Sequence, residues 1–212
     1  MKDIPMFTSE HGVASLYLRE IPFSGEARIR IQASCDPKEL LNECIAFCVA
    51  CGAEQIFATG DPCLLEFPVY TNIVQLQASA EDLGESDAKL FPVQDHTVAK
   101  WRDIYNVKMK NVPNSSFLSS FDEKEIVTSG EAYFIHRNGE LVGIGRISGS
   151  ELSVIAACAP GGGKDAVRCL AALSDSDCVF VTVSDKNRKA MDLYKNLGFL
   201  QTKTLDCWYR VK

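Results

Sequence analysis

The stretch that decides the fold runs from Glu151 to Phe199 and reads ELSVIAACAPGGGKDAVRCLAALSDSDCVFVTVSDKNRKAMDLYKNLGF. Its apolar runs SVIAACA and CVFVTVS are typical of strands that are buried on both faces of a sheet. Helical spacing of apolar residues follows each run, and Gly198 stands where a helix is expected to end. The stretch therefore predicts a strand, a PGGG turn, a helix, a second strand and a second helix.

The segments on either side of this stretch extend the sheet. Asn138-Gly139 separates two strand-like runs and predicts a hairpin with a type I′ turn. At the end of the chain, KTLDCWYRV alternates apolar and polar residues, which predicts a terminal strand with one buried face. The polar, acidic stretch ASAEDLGESDAK predicts a linker. We therefore predict a small α+β N-terminal domain over 1–80, a linker over 81–92 and a larger domain over 93–212.

Two explanations of the N-terminal domain stay open. It is either a degenerate half-copy of the second domain or an unrelated small α/β unit. An offset of 123 residues pairs Ala33, Cys35, Phe57 and Thr59 with Ala156, Cys158, Phe180 and Thr182. Under either explanation the N-terminal domain lacks a glycine turn.

Composition excludes several classes of protein. The 212 residues are 46% hydrophobic and 24% charged, which is typical of a soluble globular chain. The net charge of −6 argues against a nucleic-acid partner. No apolar run approaches the roughly 18 residues that a membrane span needs, and MKDIPMFTSEHG lacks the apolar core of a signal peptide. We expect a cytoplasmic protein without a membrane partner.

The nine cysteines do not predict a metal site. Cys44, Cys48 and Cys51 have the C-x3-C-x2-C spacing of the iron–sulfur motif in radical enzymes that cleave S-adenosylmethionine. They lie, however, in PKELLNECIAFCVACGA, where Leu41 joins them on one stripe of a predicted helix. Such thiols pack as small hydrophobic groups, whereas a cluster loop has to wrap around iron. The three histidines share no ligand spacing, so no metal is expected.

The glycine turn suits an anion, because a helix start offers unpaired N–H groups and a favourable dipole. A P-loop is excluded, since Cys158 and Asp165 occupy its first glycine and its hydroxyl position. A dinucleotide fold remains a rival: Gly161-x-Gly163-x-x-Ala166 fits its pattern, and an aspartate closes the next strand. Only 27 residues follow that aspartate, too few for a second nucleotide-binding half.

The segment after the second strand carries a more specific pattern. Asn187-x-x-Ala190-x-x-Leu193-Tyr194-x-x-x-Gly198-Phe199 resembles the N-x-x-A-x-x-L-Y-x-x-x-G-F signature of the GNAT superfamily of N-acetyltransferases. The resemblance covers about residues 85–212. It implies an α/β fold with a mixed sheet, in which the strands on either side of the glycine turn and its helix splay apart. It also implies acetyl-CoA as the acyl donor, lying between those strands.

The resemblance implies roles for individual residues. Main-chain groups of the first strand would pair with the pantetheine arm and stabilise the oxyanion, the turn would bind the diphosphate, and Tyr194 would protonate the departing sulfur as general acid. The residues implied for acetyl-CoA are Ile155, Ala156, Ala157, Gly161, Gly162, Gly163, Lys164, Asp165, Asn187 and Arg188. The turn departs from the family pattern R/Q-x-x-G-x-G/A, because neither Arg nor Gln leads it. Asp165 adds a negative charge near the expected diphosphate.

The helix after the second strand begins among cations. Lys186, Arg188 and Lys189 crowd its start, where the helix dipole disfavours positive charge. A bound phosphate would remove that penalty, although an ordinary solvated basic face would look the same in sequence.

The acceptor and the base are less defined. Glu131, Glu151 and Asp103 are candidate bases, each also compatible with a solvated carboxylate, and a water chain suffices for many members of the family. Aromatic residues of 101–106 and 117–121, together with Trp208, would form the acceptor wall.

We expect a small-molecule or peptide amine as acceptor, in a monomer or homodimer. The alternatives are a non-catalytic acyl-CoA-binding or assembly protein with the same fold and, less favoured, a dinucleotide-binding oxidoreductase.

Overall fold

The computed structural model describes residues 5–212. The first four residues of MKDIPMFTSEHG, the segment that lacks the pattern of a signal peptide, lie outside the described residues. The strands are β1 (Met6–Ser9), β2 (Gly12–Tyr17), β3 (Glu26–Ser34), β4 (Gln55–Thr59), β5 (Val69–Ser79), β6 (Lys89–Pro92), β7 (Ala132–Arg137), β8 (Glu140–Ser148), β9 (Glu151–Ala157), β10 (Cys178–Ser184) and β11 (Leu200–Arg210). The helices are α1 (Ile21–Ser24), α2 (Pro37–Ala50), α3 (Val98–Met109), α4 (Ser120–Ser129), α5 (Gly162–Ala171) and α6 (Arg188–Asn196). Within the described residues, none of the helices is long and apolar enough to cross a membrane.

The chain divides into two compact units whose limits differ from the predicted domains. The first unit runs to Ile73 and also contains Thr204–Lys212, and the second is Val74–Lys203. The boundaries therefore fall inside β5 and β11 instead of in a linker over 81–92. That segment is structured in the second unit, because Leu83 is buried in its core and β6 pairs with β7.

The first unit is a small α+β fold. Its strands follow the order β1-β2-β3-β4-β11. β1, β2 and β3 are antiparallel neighbours, and β11 is antiparallel to β4. β3 and β4 are parallel and paired over five positions, from Glu26↔Gln55 to Arg30↔Thr59. The terminal strand therefore completes this unit.

The cysteine-rich segment forms the helix α2, as predicted, with Asp36 capping its first turn. Cys44 and Cys48 are fully buried in the core of the first unit, whereas Cys51 lies exposed at the helix end. Burial raises the pKa of the Cys44 thiol to about 12 and that of Cys48 to about 11, so both thiols stay protonated. Among residues 5–212 there is no cluster of three or more His, Cys, Asp or Glu side chains suited to a metal.

The two units repeat one local topology. An offset of 123 residues moves β3, α2 and β4 onto β9, α5 and β10 within two residues at each boundary. In both cases an antiparallel neighbour precedes a parallel strand–helix–strand unit. This agreement in structure favours the half-copy over an unrelated unit. The copies differ in pairing, because β3 and β4 are hydrogen-bonded along their length.

The second unit contains a mixed sheet, which confirms the predicted fold class. Its strand order is β5-β10-β9-β8-β7-β6, with β6 to β9 antiparallel and β9 parallel to β10. Helices α5 and α6 cover one face around Val167, Leu170 and Tyr194. Helices α3 and α4 cover the other face around Trp101 and Ile126.

The predicted hairpin joins β7 and β8. Asn138 and Gly139 both have positive φ angles, 54° and 84°, as a type I′ turn requires. Asparagine tolerates this conformation better than most residues with a side chain. The turn brings β7 and β8 together, with pairing that starts at Arg137↔Glu140.

Candidate active site

β9 and β10 are neighbouring parallel strands that are hydrogen-bonded at one end only. Their register contains the single pair Phe180↔Glu151, and the Phe180 N–H donates to the Ser150 carbonyl over 2.9 Å. No further pair between them is found in residues 5–212. The two strands therefore separate towards the glycine turn, in agreement with the splayed pair that the resemblance implies.

A bulge in β9 accounts for this separation. Arg146 of β8 faces Val154, but the next residue, Ile147, faces Leu152. Ser153 is therefore an extra residue on β9. Bulges bend a strand and increase its local twist, and this one lies beside the single paired position.

The main-chain groups of β9 beyond the bulge point alternately towards β8 and towards the gap. The Cys158 N–H donates to the Val142 carbonyl over 2.8 Å, so the main-chain groups of Cys158 point towards β8. Because successive residues of a strand alternate, Ala156 is directed at β8 as well. Ile155 and Ala157 then face the gap left by β10. Of the three predicted strand residues, two have main-chain groups available to a ligand.

The glycine turn depends on two of its glycines for different reasons. Gly161 caps α5 with φ 80° and ψ −18°, a left-handed conformation that favours glycine. Gly162 lies so close to β8 that a Cβ there would overlap the carbonyl oxygen of Val142. The helix start is therefore held against β8 by backbone contact.

Two of the N–H groups in the turn remain open. The N–H of Gly162 is bonded within the turn, and those of Lys164 and Asp165 donate to the Gly161 carbonyl over 2.9 and 3.3 Å. Those of Gly161 and Gly163 have no acceptor in residues 5–212. The predicted anion site of four turn N–H groups is therefore reduced to two, beside the exposed side chain of Lys164.

Asp165 is turned away from solvent. Its side chain accepts from Arg137 Nη1 at 2.7 Å and from Ser86 Oγ at 3.0 Å, and the residue is only 8% exposed. Its main-chain N–H is used within the helix. Both the carboxylate and the N–H of Asp165 are therefore already bonded within the protein, and its contact with the cofactor stays a prediction.

Asn187 caps α6. Its side-chain oxygen accepts from the main-chain N–H of Ala190 at 3.3 Å, which explains the asparagine of the N-x-x-A segment. The cap leaves the side-chain amide hydrogens available to a ligand. Arg188 and Lys189 follow as exposed cations, and the first turn of α6, which is fully described, holds no acidic residue.

Substitutions at Asn187 separate its two possible roles. Asn187→Ala is expected to lower the free energy of unfolding by about 1 kcal/mol, because the cap is lost. Asn187→Ser keeps an oxygen acceptor and is expected to retain most of that stability. If the amide contacts CoA, both variants bind CoA more weakly, as measured by calorimetry. Normal CoA binding by Asn187→Ser would limit the residue to capping.

Tyr194 lies on the inner face of α6. It is 6% exposed, its ring centroid is 5.3 Å from that of Phe199, and it packs in the same cluster as Leu197 and Ala190. The side chain of Ile155 from β9 packs against this cluster. In the described residues the Tyr194 hydroxyl has no hydrogen-bond partner. Burial raises its pKa above the ordinary value of 10, so the phenol remains a proton donor.

The candidate bases do not converge on the open end of the gap. Glu131 accepts from Ser148 Oγ at 2.6 Å and pairs with Arg146 at 3.0 Å, and these contacts hold its pKa below its ordinary value. Glu151 lies at the paired end of β9. Asp103 is an exposed carboxylate that pairs with the preceding arginine at 2.7 Å. Each of them therefore fits the solvated or ion-paired alternative.

The predicted acceptor wall is divided. Trp101 is a core residue whose Nε1 donates to the Tyr133 carbonyl over 3.1 Å. Phe121 is 94% exposed. Trp208 belongs to the first unit, where it is buried with Phe57. Trp101 and Phe121 therefore belong to the second unit and Trp208 to the first, and the acceptor wall stays a prediction.

Sequence reasoning missed two side chains at the turn. Arg137 ends β7 next to the hairpin, and Ser86 lies in the segment predicted as a linker. They lie close to Asp165 because β6, β7 and β8 are arranged around α5, and no local sequence pattern predicts that arrangement. The sequence shows an arginine beside the hairpin, but it does not show that this arginine pairs with Asp165.

Comparison with known proteins gives a fold. No protein-family model matches the chain, and no curated protein matches its sequence. It is similar to a conserved protein of unknown function from Staphylococcus epidermidis, with 12% identity and a TM-score of 0.62 over 98% of this chain and 93% of that one. It is also similar to a GCN5-related N-acetyltransferase from Sphaerobacter thermophilus, with 10% identity and a TM-score of 0.57 over 93% and 75%. A probable N-acyltransferase from Enterococcus faecalis is similar as well, with 12% identity and a TM-score of 0.61 over 94% of this chain and 58% of that one.

These similarities extend beyond the segment that carries the sequence resemblance, because each covers at least 93% of this chain. The chain therefore has the fold of the GCN5-related N-acetyltransferases, the GNAT superfamily.

Proposed function

We propose that this protein is an N-acetyltransferase that moves the acetyl group of acetyl-CoA to an amine by direct attack in a ternary complex. The observation that carries the proposal is the unpaired edge of β9 beyond Glu151, which ends at a turn with two open N–H groups. A pantetheine arm carries amides that can pair with such an edge. A diphosphate suits open N–H groups at a helix start. The unpaired edge of β9 is followed by the turn, and in CoA the pantetheine amides are likewise followed by the diphosphate.

The chemistry needs few side chains. As the amine attacks the thioester, negative charge develops on the carbonyl oxygen, and the N–H groups of Ile155 and Ala157 are directed into the gap, where they can stabilise it. The C–S bond then breaks, and the departing sulfur takes a proton from Tyr194. The excess proton of the amine leaves to water, since none of the three candidate carboxylates is oriented for this role.

Direct attack is favoured over an acyl-enzyme. The thiol nearest to the open end of β9 is Cys158, and burial raises its pKa. A thiol becomes a good nucleophile as the thiolate, so this environment disfavours transfer through Cys158. The acceptor is a small-molecule or peptide amine, and the working unit is a monomer or homodimer.

A non-catalytic acyl-CoA-binding protein would use the same edge and turn, so it is the second candidate. The dinucleotide alternative lacks this support. In such a fold the strand before the glycine turn has parallel neighbours, whereas β9 has the antiparallel β8 on one side.

Thermal unfolding with acetyl-CoA, CoA and NAD side by side tests the proposal. At a hundredfold excess over Kd, a ligand adds about 2.7 kcal/mol, which corresponds to a rise in Tm of about 5–10 °C for a chain of this size. We expect that rise with acetyl-CoA and CoA and none with NAD. A rise with NAD alone would contradict the proposal.

An amine panel then separates the two candidates. Release of the CoA thiol in the presence of small amines and peptides is expected for a transferase. Binding of acetyl-CoA without transfer to any amine of a broad panel would favour the non-catalytic protein.

A further inference from the structure

A carboxylate occupies an unfavourable place in the proposed diphosphate site. Asp165 lies in the first turn of α5, two residues after the open N–H of Gly163. An unpaired carboxylate there would repel a diphosphate, since like charges at short range are costly where solvent is partly excluded. In this chain Asp165 is 8% exposed and is bound by Arg137 and Ser86. Its charge is therefore offset by a residue from outside the helix.

The guanidinium of Arg137 also reaches the turn itself. Its Nη2 lies 3.5 Å from the Pro160 carbonyl oxygen. At Gly161, the nearest atom to the position of an added Cβ is Nη1 of Arg137, at 3.6 Å. The side chain is 38% exposed, so the guanidinium bridges Asp165, the turn and solvent.

The surroundings of Arg137 contain more acidic than basic side chains. A cavity of about 190 Å³ beside it is lined by Glu85, Ser86, Asp87, Arg137, Asp165 and Arg168. Arg168 is the other cation, and its Nε donates to the Leu83 carbonyl over 2.8 Å. Without Arg137, three carboxylates would face one cation next to the turn.

We propose that Arg137 is the residue that makes this turn selective for an acyl donor carrying a diphosphate. It acts as a positioning residue: it offsets the charge of Asp165 and holds the carbonyl of Pro160. The turn has neither Arg nor Gln at its start, and Arg137 supplies the missing cation from the end of β7. This inference rests on the proposed use of acetyl-CoA.

A double-substitution cycle on the full chain tests the inference. The variants are Arg137→Met, Asp165→Asn and the two combined, and the measurement is the Kd of CoA by calorimetry at low and high KCl. Arg137→Met is expected to raise the Kd roughly tenfold at low salt, because Asp165 loses its partly exposed ion-pair partner and its charge then repels the diphosphate. The double variant is expected to recover most of the affinity. Salt is expected to reduce the difference, because it screens exposed charges.

Arg168→Met is the matched control, because it removes the same charge from the same cavity without contact to the turn. Its Kd for CoA is expected to stay within about twofold of wild type. Thermal unfolding of every variant, together with S-acetylpantetheine as a donor without phosphate, separates charge from folding. Structural damage would weaken the binding of S-acetylpantetheine and of CoA alike, whereas loss of the proposed role would weaken only the binding of CoA.

The outcomes distinguish this inference from the proposed function. If wild type binds CoA and Arg137→Met binds it equally well, the role of Arg137 is overturned and the proposed function stands. If Arg137→Met binds CoA and S-acetylpantetheine more weakly by the same factor, the role of Arg137 is overturned as well. If wild type binds no CoA at any salt concentration, both proposals fall.

Discussion

Replacing Tyr194 with phenylalanine is expected to lower kcat by about 100-fold or more, the usual contribution of a general acid, and to leave the Kd for CoA unchanged. The thiolate that leaves acetyl-CoA has to be protonated, and the Tyr194 phenol is the donor we propose. Its pKa is raised by burial, so the proton is present throughout the neutral and mildly alkaline range. Steady-state kinetics with the acceptor found in the amine panel measure the effect.

This substitution isolates chemistry from packing. The ring of Tyr194 remains in the core in the variant, and within residues 5–212 its hydroxyl gives up no hydrogen bond. Tyr133, which packs against the same core cluster, provides the control. Tyr133→Phe is expected to keep normal kcat. If Tyr194→Phe also retains normal turnover, Tyr194 is a core aromatic residue and the sulfur is protonated by solvent.

The stability of the same variant has an expected pH dependence. A phenol whose pKa is raised in the folded state stabilises the fold below its ordinary value of 10, and this contribution is lost as pH rises further. Tyr194→Phe has no such group. The free energy of unfolding of wild type is therefore expected to fall relative to that of the variant above pH 10. Parallel curves would contradict the burial of an ionisable group at this position.

The sequence predicts those features that depend on neighbouring residues. Asn138-Gly139 has the two positive φ angles of the predicted type I′ turn. The three glycines mark the start of α5, where one accepts a left-handed conformation and the next allows contact with β8. Each feature is local, because backbone conformation and helix capping are decided within a few residues.

The features that the sequence did not predict depend on strand order. Arg137 and Asp165 are far apart in the chain, and they meet because β7 and β8 are placed beside α5. The charge of a carboxylate near the proposed diphosphate site is therefore offset by a partner that no spacing rule identifies. The availability of the N–H groups of Ile155 and Ala157 likewise depends on the register with β8.

The limits of the compact units differ from the predicted domain limits for a related reason. The acidic segment before β6 has the composition of a linker, but one apolar residue, Leu83, is buried in the core. The long strands β5 and β11 each contribute to both units, so neither unit ends where composition changes. Composition reports average exposure, whereas a boundary depends on which individual side chains are buried.

The second large effect is expected at Gly162. A Cβ at this position would overlap the carbonyl oxygen of Val142, which is backbone and cannot rotate away. Gly162→Ala is therefore expected to lower the free energy of unfolding by about 3 kcal/mol or more, as for other overpacked positions. Gly163→Ala is the control, because its Cβ would meet the flexible Leu193 side chain at 3.1 Å. We expect its change to be under about 1 kcal/mol in chemical denaturation, since alanine also favours the helix.

The cost at Gly162 has a consequence for binding. The Val142 carbonyl accepts from the Cys158 and Ala159 N–H groups over 2.8 and 3.2 Å, so a helix start that moves away from β8 disturbs the end of β9 as well. The open N–H groups of Gly161 and Gly163 would then no longer follow the unpaired edge. Folded Gly162→Ala is therefore expected to bind CoA more weakly than Gly163→Ala. If the two variants are equally stable, α5 does not begin against β8, and the proposed binding of acetyl-CoA loses the alignment of turn and strand edge on which it rests.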